Sequence, residues 1–330
     1  MTHALDSVTS LRWRAVQPGD VPAVAELLTA IELHDDAAER HSLDELDVNM
    51  SSVERTAAGT AIGFEGGTAV AFGWNLLSEA RDGIEQVFLS GGVHPSWRQL
   101  GIGRRLLAWQ LEQARAHVQS RREAGAQCLV VAHCDEKSTG RRGLYRRVGL
   151  VPVRRHLDLY RPLSGDVPDV PLPAGVDLVP WSDELCEAVR LAHNDAFSDV
   201  WRAREVTQEE WAASHAREAA RPQWSWVALD RASGEVVGYA INSASTEEWA
   251  AQGFSQGWTD RLGVRRPWRG RGVARALLVS SMRSFAAAGL QAAGLGVDTD
   301  RVSGPLQPYD ELGYTVADSV LRHELVDDGR

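Results

Sequence analysis

Arg98, Gly101 and Gly103 sit in the stretch Val93-His-Pro-Ser-Trp-Arg98-Gln-Leu-Gly101-Ile-Gly103-Arg-Arg-Leu-Leu, whose residue types suit the capture of an anion such as pyrophosphate. It reads as a strand end, a short glycine-bearing loop and the start of an amphipathic helix. Such a loop aims several backbone N–H groups at one point, and the helix N-terminus adds its partial positive charge. Glycine at 101 and 103 lets a phosphate approach the backbone where a Cβ would stand in the way. One such turn is an ordinary strand-to-helix connection. The chain carries two. Val264-Arg-Arg-Pro-Trp-Arg269-Gly-Arg-Gly272-Val-Ala274-Arg-Ala-Leu-Leu repeats the pattern in register, pairing Val93 with Val264, Trp97 with Trp268, Arg98 with Arg269 and Gly101 with Gly272. Recurrence of the turn, its charge and the following helix face together marks an internal duplication.

The elements needed to hold these loops can be read along the chain. Leu11–Val16 alternates as a strand, Gln17–Asp20 offers a turn and a cap, and Val21–Leu28 has helical period. The acidic stretch Glu32–Asp47 is irregular; His34, Asp35, Asp36 and His41 lie in it at no spacing that defines a metal geometry, and no metal is assigned. Thr60–Phe64 and Thr68–Trp74 form a hairpin about a glycine turn, and Ile84–Leu89 is the strand leading into the first loop. The helix after it shows a stripe of Leu107, Leu111, Ala114 and Val118, and Cys128–Ala132 reads as a buried strand. Val153–Tyr160 closes the half as its final strand. Ser164–Gly175, with three prolines, reads as a linker. The second half repeats the series: strand Val176–Val179, helix Glu184–His193, hairpin Trp224–Leu229 with Val236–Asn242, strand Trp258–Val264, the second loop, and strand Leu295–Asp298. The expected domains are residues 1–163 and 176–330, joined by 164–175.

Both loops resemble the acyl-CoA-binding signature Arg/Gln-x-x-Gly-x-Gly/Ala of the GNAT N-acetyltransferases, which follows a strand ending in Val-x-Pro or similar. Two copies in one chain resemble the tandem members of that family, of which mycothiol synthase is one, over roughly residues 10–162 and 174–328. The resemblance implies an α/β (α+β) chain of two tandem GNAT-like domains, each a mixed, mostly antiparallel sheet flanked by helices. It implies transfer of an acetyl group from acetyl-CoA, as co-substrate, to a primary amine of a small molecule or peptide, with one half catalytic. Matching the motif residue by residue assigns the cofactor to Val93, Arg98, Gln99, Leu100, Gly101, Ile102, Gly103 and Arg104 in the first half. In the second it assigns Val264, Arg269, Gly270, Arg271, Gly272, Val273, Ala274 and Arg275. The family's tyrosine, a general acid for the leaving thiolate, maps onto Tyr145 within Gly143-Leu-Tyr145-Arg-Arg-Val-Gly149-Leu and onto Tyr309. A phenol with a pKa near ~10 can donate a proton without being ionised at neutral pH. Pro305 and Pro308 predict a shortened or shifted helix around Tyr309. Lys137 and Arg301 stand where the family often has an asparagine eight residues before this tyrosine. Glu85 and Asp260, on the strands before the two loops, are candidate general bases; each also reads as a surface carboxylate on an alternating strand. His94, His133 and Asp135 lie near the first site in sequence without an assigned role.

Composition bounds the alternatives. A chain of 330 residues can bury two cores, and 44% hydrophobic with 24% charged residues is the balance of a globular protein. A net charge of −10 argues against a general nucleic-acid or anionic-membrane binder. Cys128, Cys134 and Cys186 have no CxxC spacing, which fits a reducing, cytoplasmic setting, and no run is long enough to span a membrane. The expected partner is an amine substrate, with no nucleic acid and no membrane, and the chain acts as a monomer or homodimer. A mycothiol synthase-type activity and a CoA-binding pseudoenzyme with a regulatory or structural role are the competing readings. A dinucleotide site is set aside, because its fingerprint follows the first strand of a βαβ unit and these loops follow several strands.

Overall fold

The computed structural model describes residues 5, 10–36, 57–77, 84–120, 127–198, 204–215, 219–246, 249, 252–299 and 306–327. Residues 37–47 of the acidic stretch, with His41, and the positions Trp201, Arg301 and Pro305 lie outside them, as does the side chain of Val118. The chain divides into two compact units. One comprises residues 1–156, 298–303 and 318–330, the other 157–297 and 304–317.

The first unit contains β1 (Arg12–Arg14), α1 (Val21–Asp35), β2 (Ala57–Glu65), β3 (Thr68–Leu77), β4 (Ile84–Val93), α2 (Ile102–Ser120), β5 (Gln127–Asp135) and α3 (Thr139–Arg147). It is completed by the start of β6 (Val151–Pro162) and by residues 318–327 of β12 (Thr315–Asp327). Its strand order is β1-β2-β3-β4-β5-β12-β6. β4 and β5 run parallel from Ile84↔Gln127 to Leu89↔Ala132, while β1–β2, β2–β3, β3–β4 and β5–β12 are antiparallel. The sequence places a strand at 153–160, and β6 is that strand. The place beside β5, however, belongs to β12, which pairs from Val320↔Asp135 to Asp327↔Cys128. The alternation of β4 buries Val87 and Leu89 under α2, whose Leu107, Leu111 and Ala114 meet them together with Val130 and Ala132. Each such fully buried aliphatic side chain stabilises by about 1.5–3 kcal/mol. On the other face α1 packs Val24, Leu27 and Ile31 against Ile62, Phe72 and Trp74.

The second unit contains the end of β6, β7 (Val176–Pro180), α4 (Cys186–Phe197), α5 (Gln208–His215), β8 (Trp226–Asp230), β9 (Val236–Ser243), β10 (Gln256–Val264), α6 (Val273–Ala287), β11 (Ala292–Thr299, to Val297) and α7 (Gln307–Asp310). Its order is β6-β11-β10-β9-β8-β7. β10 and β11 are parallel over Gln256↔Ala292 to Thr259↔Leu295, while β7–β8, β8–β9 and β9–β10 are antiparallel. The helix after the loop again lies against the sheet. A Cβ on Gly257 would stand 2.4 Å from the Phe285 ring, so only glycine allows this approach of strand and helix. Each unit is therefore a mixed, mostly antiparallel sheet flanked by helices.

Candidate active site

In the first unit β4 and β5 pair as far as Leu89↔Ala132 and then part. β4 continues through Ser90, Gly91, Gly92 and Val93, still paired to β3 but without a partner on its β5 side. A cleft of about 1260 Å³ opens there, lined by that free strand edge, by Arg98–Gly101, Gly103 and Arg104 of the loop, and by Lys137–Arg141 and Tyr145 across the gap. Gly101 takes φ +83° and Gln99 φ +64°; in the second copy Gly270 and Gly272 take +72° and +88°. Gln99 thus holds a left-handed conformation that the second loop assigns to a glycine, at a cost of order 1–2 kcal/mol. The first helical bond runs from Arg105 N–H to the Gly101 carbonyl (3.2 Å), and its counterpart from Ala276 N–H to Gly272 (3.0 Å). The N–H groups of Gln99 to Arg104 consequently have no backbone acceptor among the described residues.

The two loop arginines point elsewhere. Arg98 Nε donates to the Val93 carbonyl at 3.1 Å, and its two terminal nitrogens donate to the Asp35 carboxylate at 2.5 and 2.9 Å. Arg269 repeats this: Nε donates to the Val264 carbonyl at 3.1 Å and Nη2 to the Ala196 carbonyl near the end of α4. In both copies the side chain joins the strand end to the first long helix of its unit.

Tyr145 is buried on α3, with its ring edge against His323 of β12 at 5.1 Å. Its hydroxyl donates to the His133 carbonyl at 3.3 Å. Burial pushes the phenol up to about 12, so it stays protonated throughout the physiological range.

These parts correspond to known proteins. The pattern of the Acetyltransferase (GNAT) family matches residues 186–304. The mycothiol acetyltransferase of Tsukamurella paurometabola is 28% identical over 234 residues, covering 68% of this chain and 73% of that one. That of Streptomyces coelicolor is 28% identical over 247 residues, covering 74% and 73%. A GCN5-related N-acetyltransferase from Sphaerobacter thermophilus superposes with a TM-score of 0.74 at 26% identity, covering 96% of this chain and 95% of its own. Residues 186–304 thus match the GNAT family, and the whole chain resembles tandem GNAT-type N-acetyltransferases. A tandem GNAT protein from the clavulanic acid biosynthesis pathway shares the fold at 19% identity, with a TM-score of 0.63 over 96% of this chain and 98% of that one.

These comparisons support acetyl transfer to an amine. The cleft gathers most of the residues that the sequence assigned to the first donor site, with Tyr145 opposite the loop. It does not gather Glu85. That carboxylate is buried rather than on the surface, meets His117 Nε2 at 3.3 Å, and lies four residues back from Leu89, about 13 Å at strand rise. Asp260 is exposed beside the irregularity between Thr259 and Arg261 in β10. Tyr309 is half-buried, 6.5 Å from the Tyr314 ring, and burial raises its phenol. Its helix α7 has only four residues, with Pro308 second, against nine in α3, as the two prolines predicted. His94 accepts from Ser96 N–H at 3.2 Å, and no helix among the described residues is long and apolar enough to cross a membrane. Asp35 and His323 are the contributors the sequence left without a role. The bidentate partner of Arg98 lies a whole sheet away in the chain, and His323 arrives on a strand from the other end.

Proposed function

We propose that acetyl-CoA docks in the cleft of the first unit and that its acetyl group passes there to a primary amine of a small molecule. The carrying observation is that one cavity joins the unpaired amides of the loop, the free edge of β4 and the protonated Tyr145 phenol. The residues present fit the donor: amides and Arg104 suit a pyrophosphate, and the open edge at Ser90–Val93 suits the amides of a pantetheine arm. The donor supplies an activated thioester carbonyl. Tyr145 gives a proton to the departing sulfur. His34 lines the same cleft and makes no ion pair among the described residues, and we assign its imidazole the amine's proton. Glu85 takes part only through His117, and Tyr309 and Asp260 belong to the second unit, which binds donor without turnover.

Two sequence relatives are mycothiol acetyltransferases, which favours as a second reading that the acceptor is the amine precursor of mycothiol. The free Cys134 and Cys186 support a reducing, cytoplasmic setting. Calorimetric titration of acetyl-CoA on the wild type, Gly101→Trp and Gly272→Trp, with thioester consumption over an amine panel, tests the assignment. Gly101→Trp should remove one binding site and all turnover. Turnover lost only with Gly272→Trp would move the reaction to the second unit, and absence of binding in the wild type would end the reading of the cleft.

A further inference from the structure

The chain holds a single lysine. Among its 35 lysine and arginine residues only Lys137 carries an ε-amine, and that lysine lines the donor cleft with Tyr145 and the loop. The other 34 of these 35 are arginines, whose guanidinium stays protonated in proteins and is no nucleophile toward a thioester. The protein therefore exposes one lysine amine to its own substrate, at the place where that substrate docks.

The local structure presents this amine rather than burying it. Lys137 follows β5 in a turn fixed by three backbone bonds: Glu136 N–H to Ser319 O (2.8 Å), Ser138 N–H to Asp135 O (3.0 Å) and Thr139 N–H to Lys137 O (2.8 Å). The backbone at the root of the side chain is thus held, while the side chain keeps 45% of its surface exposed. Its Nζ reaches the end of α1, donating to the Asp36 carbonyl and lying 3.4 Å from Asp36 Oδ2. That partner is 94% exposed and sits in a left-handed residue, φ 49°, so the pairing is a weak tether by the standard of surface ion pairs. A four-carbon stem on a fixed turn can swing from Asp36 into the cleft.

We propose that Lys137 is an internal acetyl acceptor, so that the enzyme acetylates itself in the donor cleft. The ammonium loses one proton to the Asp36 carboxylate or to water, and Nζ attacks the thioester carbonyl. A C–N bond forms, the C–S bond breaks, the second amine proton leaves, and the thiolate takes up the Tyr145 proton, which that second proton replaces. The products are a neutral amide at Lys137 and the free thiol, with one net proton released. Acetylation removes the charge paired with Asp36, while Arg98 still holds the neighbouring Asp35. The inference rests on the first unit being the donor site.

The test uses the full chain incubated with acetyl-CoA and no added amine, read by intact mass and by tryptic digestion. The expected result is a gain of one acetyl group at a rate independent of protein concentration. The residue 123–141 peptide should become uncut at Lys137, and Lys137→Arg and Gly101→Trp should show no gain. A gain that survives in Lys137→Arg belongs to the α-amino group, and an equal gain in Gly101→Trp is uncatalysed acylation from solution; either overturns the proposal. So does an unmodified wild type that binds acetyl-CoA and acetylates an external amine. A wild type that fails to bind acetyl-CoA in calorimetry overturns the cleft assignment first, and this inference with it.

Discussion

Arg98 grips Asp35 with both terminal nitrogens, at 2.5 and 2.9 Å, while its Nε holds the carbonyl of Val93. The end of α1 is thereby fixed to the end of β4. The side chains of the pair keep 31% and 21% of their surface exposed, so its worth is that of a partly screened, bidentate contact.

Asp35→Asn should therefore cost about 1 kcal/mol in denaturant unfolding. Acetyl-CoA affinity, which belongs to the amides, should change by less than about threefold, and the KM for the amine should carry the larger loss. A tenfold or greater loss of donor affinity in Arg98→Ala, with tighter binding in Asp35→Asn, would show that Arg98 serves the phosphate instead.

The two loop glycines should respond differently to alanine. Gly101 holds φ +83°, where a Cβ costs about 1–2 kcal/mol, so Gly101→Ala should weaken acetyl-CoA binding about tenfold. A Cβ at Gly103 would meet Leu144 and Val93 at 3.6 Å, an ordinary contact, and the second loop already carries Ala274 there. Gly103→Ala should bind within about twofold of wild type by calorimetry.

Tyr145→Phe keeps the ring packing and removes only the proton donor. We expect kcat to fall about 10²-fold with acetyl-CoA affinity unchanged. The pH signature has a definite sign. The folded phenol lies at about 12, above its ordinary 10.0, so burial favours the neutral form. Its contribution to stability is whole below pH ~10 and declines as pH rises toward ~12. Urea melts across that window should show a decline that is smaller in Tyr145→Phe; an identical decline would mean that the phenol does not change its environment on unfolding.

His34→Ala should lower kcat about 10²-fold near neutral pH, and free imidazole should restore part of the rate. A rate that is unchanged, or lost without rescue, would remove His34 from the proton path.

Much of this was legible in the sequence because it is local. The loops announce themselves through glycine, charge and the following helix face, all within a few residues of one another. The shortened α7 follows from Pro305 and Pro308, since a proline cannot donate to a helix already under way. Glu85, read from the sequence as a candidate base or a surface carboxylate, is buried on the strand face it shares with the apolar Val87 and Leu89. The remainder depends on contacts distant in sequence. Nothing near Arg98 names Asp35 as its partner, and Arg269 ends on a backbone carbonyl that no residue type can signal. The apolar run of β5 indicates burial between neighbours without saying that one of them is β12.

The placement of β12 has a consequence for the order in which the protein is made. The ribosome delivers β5 long before residues 320–327, and at roughly 5–20 residues per second the strand waits about ten to forty seconds for its neighbour. During that interval a row of backbone donors and acceptors stands open to any passing chain. The half synthesised first is the half finished last.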